Sequence, residues 1–327
     1  MDILFIGGTG FFGKAFLNYL KSNRINSINS ITIVGRSANT FLETNIEFLD
    51  VKNVKYKYGN ILEDLSTLND INYSHVIHAA ADSTNVTDLS YMARYEQIVE
   101  GTRNVLEFVK DKLPESKFLF ISSGGVYGNM PSDKVSFEES DISPSEITKS
   151  ENLNSSNVYS IAKRAAENLC SSYYDKYDLN ISIARCFCFS GTHLPLNVHF
   201  AIGNFVKDAS ANNDIVIKGD GKSVRSYLDQ DDLTEWIIKI LENDSFNKTV
   251  YNVGSEESIS IKDLAVLIKK LSRKSIDVKV LYENSDSLKR TVYVPNCKKI
   301  KEKFDLTQKV SLSESISKMM KSNTSYV

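Results

Sequence analysis

Tyr159-Ser160-Ile161-Ala162-Lys163 sets a phenol and an ammonium four residues apart, which on a helix puts them on one face. A tyrosine starts near pKa ~10. A cation about 4 Å away at an effective dielectric of ~20 favours the phenolate by roughly 4 kcal/mol, which moves the proton toward exchange at neutral pH. Such a pair can pass a proton to or from an oxygen on a bound molecule. Upstream, the apolar run Phe118-Leu119-Phe120-Ile121 ends at Ser122-Ser123-Gly124-Gly125. A serine at the carboxyl end of a parallel strand stands where open α/β sheets bind ligands, and strand alternation sends the two serines to opposite faces.

A second constellation begins at the N-terminus. Gly7-Gly8-Thr9-Gly10-Phe11-Phe12-Gly13 follows the apolar run Ile3-Leu4-Phe5-Ile6 and opens a helical pattern. In that context glycines allow a tight turn, let a pyrophosphate approach the backbone and let helix and strand pack closely. The free N–H groups of the first helical turn, at Phe11 and Phe12, then face the phosphates of a dinucleotide. After the second apolar run comes Gly35-Arg36-Ser37 where an NAD-selective site usually has a carboxylate for the ribose hydroxyls. A guanidinium there suits a 2′-phosphate, so NADP(H) is favoured over NAD(H); a stacked or solvated Arg36 is the plain alternative. Gly59-Asn60-Ile61 ends the third run, where Asn60 could hold the adenine edge or could make an ordinary Asx turn.

These residues need elements to hold them. Apolar runs at 2–6, 31–34, 54–58, 75–79, 118–122 and 181–184 alternate with helical patterns at 14–20, 91–110 and 160–174, which is the signature of a parallel sheet with helices on both faces. From 130 to 157 the chain turns polar, rich in Ser, Asn, Glu and Pro, and is too long for a plain connector. Beyond about residue 191 the alternation weakens, and short helical stretches at 201–211, 233–242, 261–271 and 311–321 read as a smaller, helix-rich lobe. The expected division is a dinucleotide domain with the catalytic residues at 1–190 and a substrate lobe at 191–327, with some elements interleaving.

Composition narrows the class. The 327 residues are 42% hydrophobic and 24% charged, ordinary for a globular protein, and Lys+Arg 39 against Asp+Glu 41 leaves a net charge of −2. Nothing in that balance suggests the basic stripe of a nucleic-acid-binding protein, so nucleic acid is not an expected partner. No apolar run approaches the ~20 residues of a membrane helix, and the N-terminus enters a strand directly, so a cytoplasmic protein is expected. Cys170, Cys186, Cys188 and Cys297 form neither a disulfide framework nor a C-x-x-C metal pair, and are read as free thiols. No metal is expected.

The glycine turn, the strand-end serine and Tyr159/Lys163, in that order, resemble the extended short-chain dehydrogenase/reductase family in its nucleotide-sugar epimerase/dehydratase/reductase branch, along nearly the whole chain. The resemblance includes His78-Ala79-Ala80, Val126-Tyr127-Gly128, Arg185 with Gly191, Gly219-Asp220-Gly221, Arg225, Asp231-Asp232-Leu233 and Tyr251-Asn252-Val253-Gly254. It implies a Rossmann-type fold, an NAD(P) cofactor touched by Gly7, Gly10, Phe11, Phe12, Gly13, Arg36, Asn60, Ile61 and Ala79, and a nucleotide-diphosphate sugar as substrate. It implies that Tyr159 exchanges the proton, that Lys163 holds the nicotinamide ribose, and that Ser123, not Ser122, hydrogen-bonds the reacting oxygen. Arg225 and Arg290 are the expected phosphate-binding arginines. Asn204 could bind a phosphate through its amide or cap a helix. By analogy with the family, a homodimer would pack through the helices at 91–110 and 160–174.

Departures from the family pattern narrow the reaction. The 4,6-dehydratases of the branch carry an acid pair after the catalytic hydroxyl, where this chain has Gly124-Gly125. The family's frequent sugar-contacting Asn after Arg185 is missing from Cys186-Phe187-Cys188-Phe189. The leading expectation is an NAD(P)H-dependent reductase of a nucleotide-linked 4-keto-6-deoxyhexose, dTDP- or CDP-linked, in surface-polysaccharide precursor synthesis. An NAD-retaining nucleotide-sugar epimerase is the runner-up. A non-catalytic dinucleotide sensor is the reading from another class, against which both Tyr159 and Lys163 count.

Overall fold

The computed structural model describes residues 1–23, 25–68, 72–81, 89–131, 134–141, 157–282 and 291–324. Seven strands, β1 (Asp2–Ile6), β2 (Ser30–Gly35), β3 (Val54–Tyr58), β4 (His75–His78), β5 (Lys117–Ser123), β6 (Ile181–Cys186) and β7 (Asn247–Val253), form one sheet in the order β7-β6-β5-β4-β1-β2-β3. Every pairing in it is parallel. Ile3, Leu4, Phe5 and Ile6 are all buried because helices cover both faces of the sheet, which is why β1 reads as an unbroken apolar run.

The chain runs β1 to β2 to β3 in one direction, then returns to place β4 on the other side of β1. Ile6 pairs in register with Val34 and with His78, so the strand ends around this switch point are level. A crevice opens there, at the carboxyl ends of the strands, as the doubly wound topology requires. On one face α1 (Phe11–Ser22) packs against α5 (Gln230–Leu241); on the other α2 (Tyr91–Lys112) packs against α3 (Val158–Tyr177). Two apolar clusters fill these layers, one around Phe5, Phe16 and Trp236 and one around Val105, Phe118 and Ala166.

The stretch after residue 190 serves both parts of the molecule. β7 and α5 complete the main sheet and its helical layer, whereas α4 (Ala201–Ser210), α6 (Ile261–Ser272) and α8 (Leu312–Thr324) pack on one another around Phe205, Leu264 and Ile316. A small sheet joins this lobe to the cleft, with Val224–Ser226 antiparallel to Ser258–Ser260 and parallel to Val292–Tyr293. Between them α7 (Lys298–Phe304) leans on β7. Much of the polar stretch from 130 to 157 lies outside the described residues. No described helix is long and apolar enough to cross a membrane.

Candidate active site

A single cleft of about 1480 Å³ runs from the glycine turn, across the ends of β1, β4, β5 and β6, to the lobe. That exceeds the volume of an ordinary small-molecule pocket and gives room for a dinucleotide with a second ligand. Gly7, Gly10, Phe11, Phe12, Arg36, Asn60, Ile61, Ala79, Ser123, Tyr159, Lys163 and Arg225 all line it. Local folding explains the first group. The N-terminus of α1 has no side-chain cap and no acidic residue in its first turn, so its N–H groups stay available to an anion. Those features fit a dinucleotide pyrophosphate.

Gly13 does not line the cleft. A Cβ there would lie 1.8 Å from the Gly8 carbonyl oxygen, so this glycine serves the close packing of α1 on the turn and acts on a ligand only by letting α1 start where it does. Asn60 lines the cleft, and its side chain also braces the turn: Oδ1 accepts from Leu62 N at 3.2 Å and Nδ2 donates to Glu63 at 2.8 Å, which leaves one amide N–H and one lone pair beyond those bonds. Arg36 lies exposed just past β2, and among the described residues it has no hydrogen bond or ion pair.

The end of the cleft where the sequence leads one to expect proton exchange is built by β5 and α3. Ser123 ends β5 and caps the short turn Gly124–Tyr127, its Oγ accepting from Gly125 N at 3.1 Å. Tyr159 sits in the first turn of α3, half-buried against the cluster beneath the sheet. One turn on, Lys163 is 3% exposed and donates from Nζ to Ile121 O at 2.7 Å, so it reaches the last residues of β5 from below. Burial pushes its pKa down to about 8, opposed by the nearby Cys186, Cys170 and Glu167. A lysine in that range can share protons with a neighbouring phenol near neutral pH. Ser122 points the other way, its Oγ donating to Glu167 at 2.6 Å.

On the lobe side, Arg225 is held against the wall by Val224 O at 2.8 Å, Thr291 O at 3.1 Å and Thr291 Oγ1 at 3.1 Å. Its guanidinium also lies 5.9 Å from the Tyr293 ring centre. Of the two roles the sequence left open for Asn204, phosphate binding or a local cap, the structure places it nearer the second: it does not line the cleft, and its amide donates to Val198 O at 2.8 Å, tying the preceding loop to α4. An asparagine near a helix start finds the backbone behind it sooner than a ligand ahead of it. Arg290 lies outside the described residues. Cys186 and Cys188 line the cleft as thiols that burial pushes up, Cys188 to about 11. No group of metal-ligating side chains occurs among the described residues.

Two residues that sequence reasoning missed shape the site. Tyr293 brings its hydroxyl 3.5 Å from Ser123 Oγ, and its ring lies 4.7 Å from that of Phe187. Burial pushes its phenol pKa well up, so it stays protonated. A Cβ on Gly124 would meet Phe187 ring carbons at 2.7 Å and the Tyr293 hydroxyl at 2.8 Å, so these two side chains fill the space that a side chain at 124 would need. Nothing local marks Tyr293, because only its pairing beside Val224–Ser226 brings it to the cleft.

The family model described as the NAD dependent epimerase/dehydratase family matches residues 3–254. The dTDP-D-glucose 4,6-dehydratase of Dictyostelium discoideum is 31% identical over 285 residues, 83% of this chain and 62% of that protein. UDP-glucuronic acid decarboxylase 1 of Arabidopsis thaliana is 27% identical over 225 residues, 68% of this chain and 48% of that one. The chain thus spans under two thirds of either relative. Among solved structures, the dTDP-glucose 4,6-dehydratase of Bacillus anthracis in complex with NAD superposes with a TM-score of 0.80 at 23% identity, over 98% of this chain and 96% of that one. The UDP-glucuronic acid 4-epimerase of Bacillus cereus in complex with UDP-glucuronic acid and NAD also gives 0.80, at 22% identity and 100% of both chains. At these identities the two structures share the fold.

Proposed function

This chain belongs to the NAD dependent epimerase/dehydratase family, and on that premise we propose that it is an NAD(P)H-dependent reductase of a nucleotide-linked 4-keto-6-deoxyhexose, dTDP- or CDP-linked, making precursors of a surface polysaccharide. The observation that carries the reading is the make-up of the cleft. Among its described lining residues there is no carboxylate, while Arg36, Lys163 and Arg225 line it with positive charge. Removing water from a hexose requires an acid for the departing hydroxide and a base for the neighbouring carbon. The position that would carry the first is Gly124, whose space Phe187 and Tyr293 fill. Reducing a carbonyl requires one hydride and one proton.

The nicotinamide cofactor, when bound, supplies the hydride. The chain supplies the rest. The start of α1 receives the pyrophosphate, Arg36 the 2′-phosphate of NADP(H), and Lys163 the ribose. Tyr159 gives its proton to the ketone oxygen, and Ser123 hydrogen-bonds the same oxygen and so favours the charge that develops on it. Arg225, backed by the Thr291 and Val224 carbonyls, faces the diphosphate from the lobe formed by the later part of the chain.

The test is a panel of dTDP-, CDP-, UDP- and GDP-linked 4-keto-6-deoxyhexoses offered with NADPH. One of them should consume nicotinamide absorbance stoichiometrically and yield a 6-deoxyhexose, and the parent hexoses should not be dehydrated. Protein that arrives with tightly held NAD and interconverts UDP-hexose epimers without net cofactor use would replace this reading with an epimerase.

A further inference from the structure

Beneath the catalytic residues lies a buried ion pair that the reaction above does not use. Glu167 sits on α3 one turn beyond Lys163 and two beyond Tyr159, and the Glu167 and Arg185 side chains are each 3% exposed. The carboxylate accepts four hydrogen bonds from three elements. From β6, Arg185 donates Nε to Oε1 at 2.9 Å and Nη2 to Oε2 at 2.8 Å. From β5, Ser122 Oγ donates to Oε1 at 2.6 Å. From α3 itself, Arg164 Nη1 donates to Oε2 at 3.0 Å. Arg185 goes on to donate from Nη1 to the Tyr127 hydroxyl at 3.0 Å and to Glu139 O at 3.1 Å, and Tyr127 donates to Asn252 Oδ1 at 2.6 Å.

The consequence is positional. Ser123 is followed by the turn that ends at Tyr127, so both of its flanks, Ser122 and Tyr127, are tied to the same ion pair. Glu167 in turn rides on the helix that carries Tyr159. A buried ion pair adds little net stability, since desolvation offsets most of the attraction, whereas its directional bonds can select one arrangement of the elements around it. We propose that Glu167 is a positioning residue, which sets the facing of Ser123 and Tyr159 by locking the end of β5 and the end of its following turn onto α3. The proposal rests on the reading in which Ser123, Tyr159 and Lys163 handle the proton.

The same carboxylate also sets the local charge. Glu167 faces Arg164, Lys163 and Cys170 from α3, Arg185 from β6, Ser122 from β5 and, through Arg185, the Tyr127 hydroxyl. Lys163 faces Cys186 from β6, Cys170 on its own helix and His78 from β4. Neutralising Glu167 leaves three cations without their counter-charge, which disfavours the Lys163 ammonium and favours the Tyr159 phenolate. Both titrations therefore move to lower pH.

Two variants separate geometry from charge, with Tyr159→Phe as the control for the catalytic reading. Ser122→Ala leaves the ion pair in place and removes its hold on β5. We expect kcat to fall about tenfold, within the range a misaligned general acid costs, with KM, NADPH affinity and melting temperature near wild type. Glu167→Gln keeps the shape and removes the charge. In protein carrying ring-labelled tyrosine, with the Tyr159 signal assigned from Tyr159→Phe, its NMR titration should move down by about half a pH unit or more. That readout needs no substrate, so it stands even if no sugar in the panel is turned over. Should Glu167→Gln fail to fold, the Ser122→Ala protein is read for both kcat and a displaced Tyr159 signal. A folded Glu167→Gln with an unmoved Tyr159 titration and a Ser122→Ala with wild-type kcat would overturn the proposal. Full turnover in Tyr159→Phe would instead overturn the catalytic reading beneath it.

Discussion

In the proposed reaction the side chains at the cleft divide the work between proton and cofactor, and single substitutions should separate the two. Tyr159→Phe removes the donor while keeping the ring, so turnover should drop at least about a hundredfold with NADPH affinity within a few-fold. Stopped-flow and fluorescence titration read the two quantities separately. Lys163 is buried and bonded to Ile121 O, and its proposed role also includes the ribose, so Lys163→Ala should reduce both turnover and cofactor affinity. Arg36 stands exposed on the cleft wall with no described partner to satisfy. Its loss should cost a charge-assisted phosphate contact of roughly 1.5–3 kcal/mol, which weakens NADPH by about ten- to a hundredfold and leaves NADH nearly unchanged. Equal losses for both cofactors would remove the 2′-phosphate from its role.

Among the elements, the junction of β1 and α1 is the one most tightly specified by the sequence. Gly13 lets the helix start directly over the Gly8 carbonyl, and no side chain fits between them. Gly13→Ala should therefore push α1 away from the turn, lowering stability by about 1–3 kcal/mol as overpacked cores do and weakening dinucleotide binding with it. Chemical unfolding and cofactor titration on the same protein test both effects; binding that survives a clear loss of stability would show that the helix start does not need this contact. β7 shows the opposite situation. Its 247–250 end is partly exposed, and only Tyr251, Asn252 and Val253 are fully buried, so no unbroken apolar run announces a strand. The sheet takes it up because β6 offers an open parallel edge.

For the whole molecule, acid stability should follow its buried histidines. Burial and the Lys163 ammonium hold His78 down to about 3, and burial holds His75 down to about 4, against about 6.5 in the unfolded chain. Among the described residues His78 has Thr102 Oγ1 as its one hydrogen-bond partner, at 3.1 Å, and its Nδ1 has none. Below pH 6.5 the unfolded chain binds protons that the folded one refuses, so stability falls as pH falls, by up to about 1.4 kcal/mol per pH unit for each histidine, and is insensitive to these groups above it. Urea unfolding between pH 7 and pH 5 should show this slope, reduced by about half in His78→Asn. A flat profile would mean that neither histidine is held neutral by burial.

The glycine turn, the six strands from β1 to β6 and the helix that carries Tyr159 and Lys163 could all be read from the sequence. Each depends on a local pattern: an apolar run buried on both faces, a helical period, a turn that only glycine allows. The tertiary structure alone decided what surrounds those residues. Tyr293 reaches Ser123 across 170 positions, Glu167 gathers β5, β6 and α3 onto one carboxylate, and Asn204 turns to its own loop instead of the cleft. The physical reason is the range of the interactions. Periodicity records which face of an element meets the core, but a hydrogen bond between elements depends on where each one is packed, and no single segment carries that information.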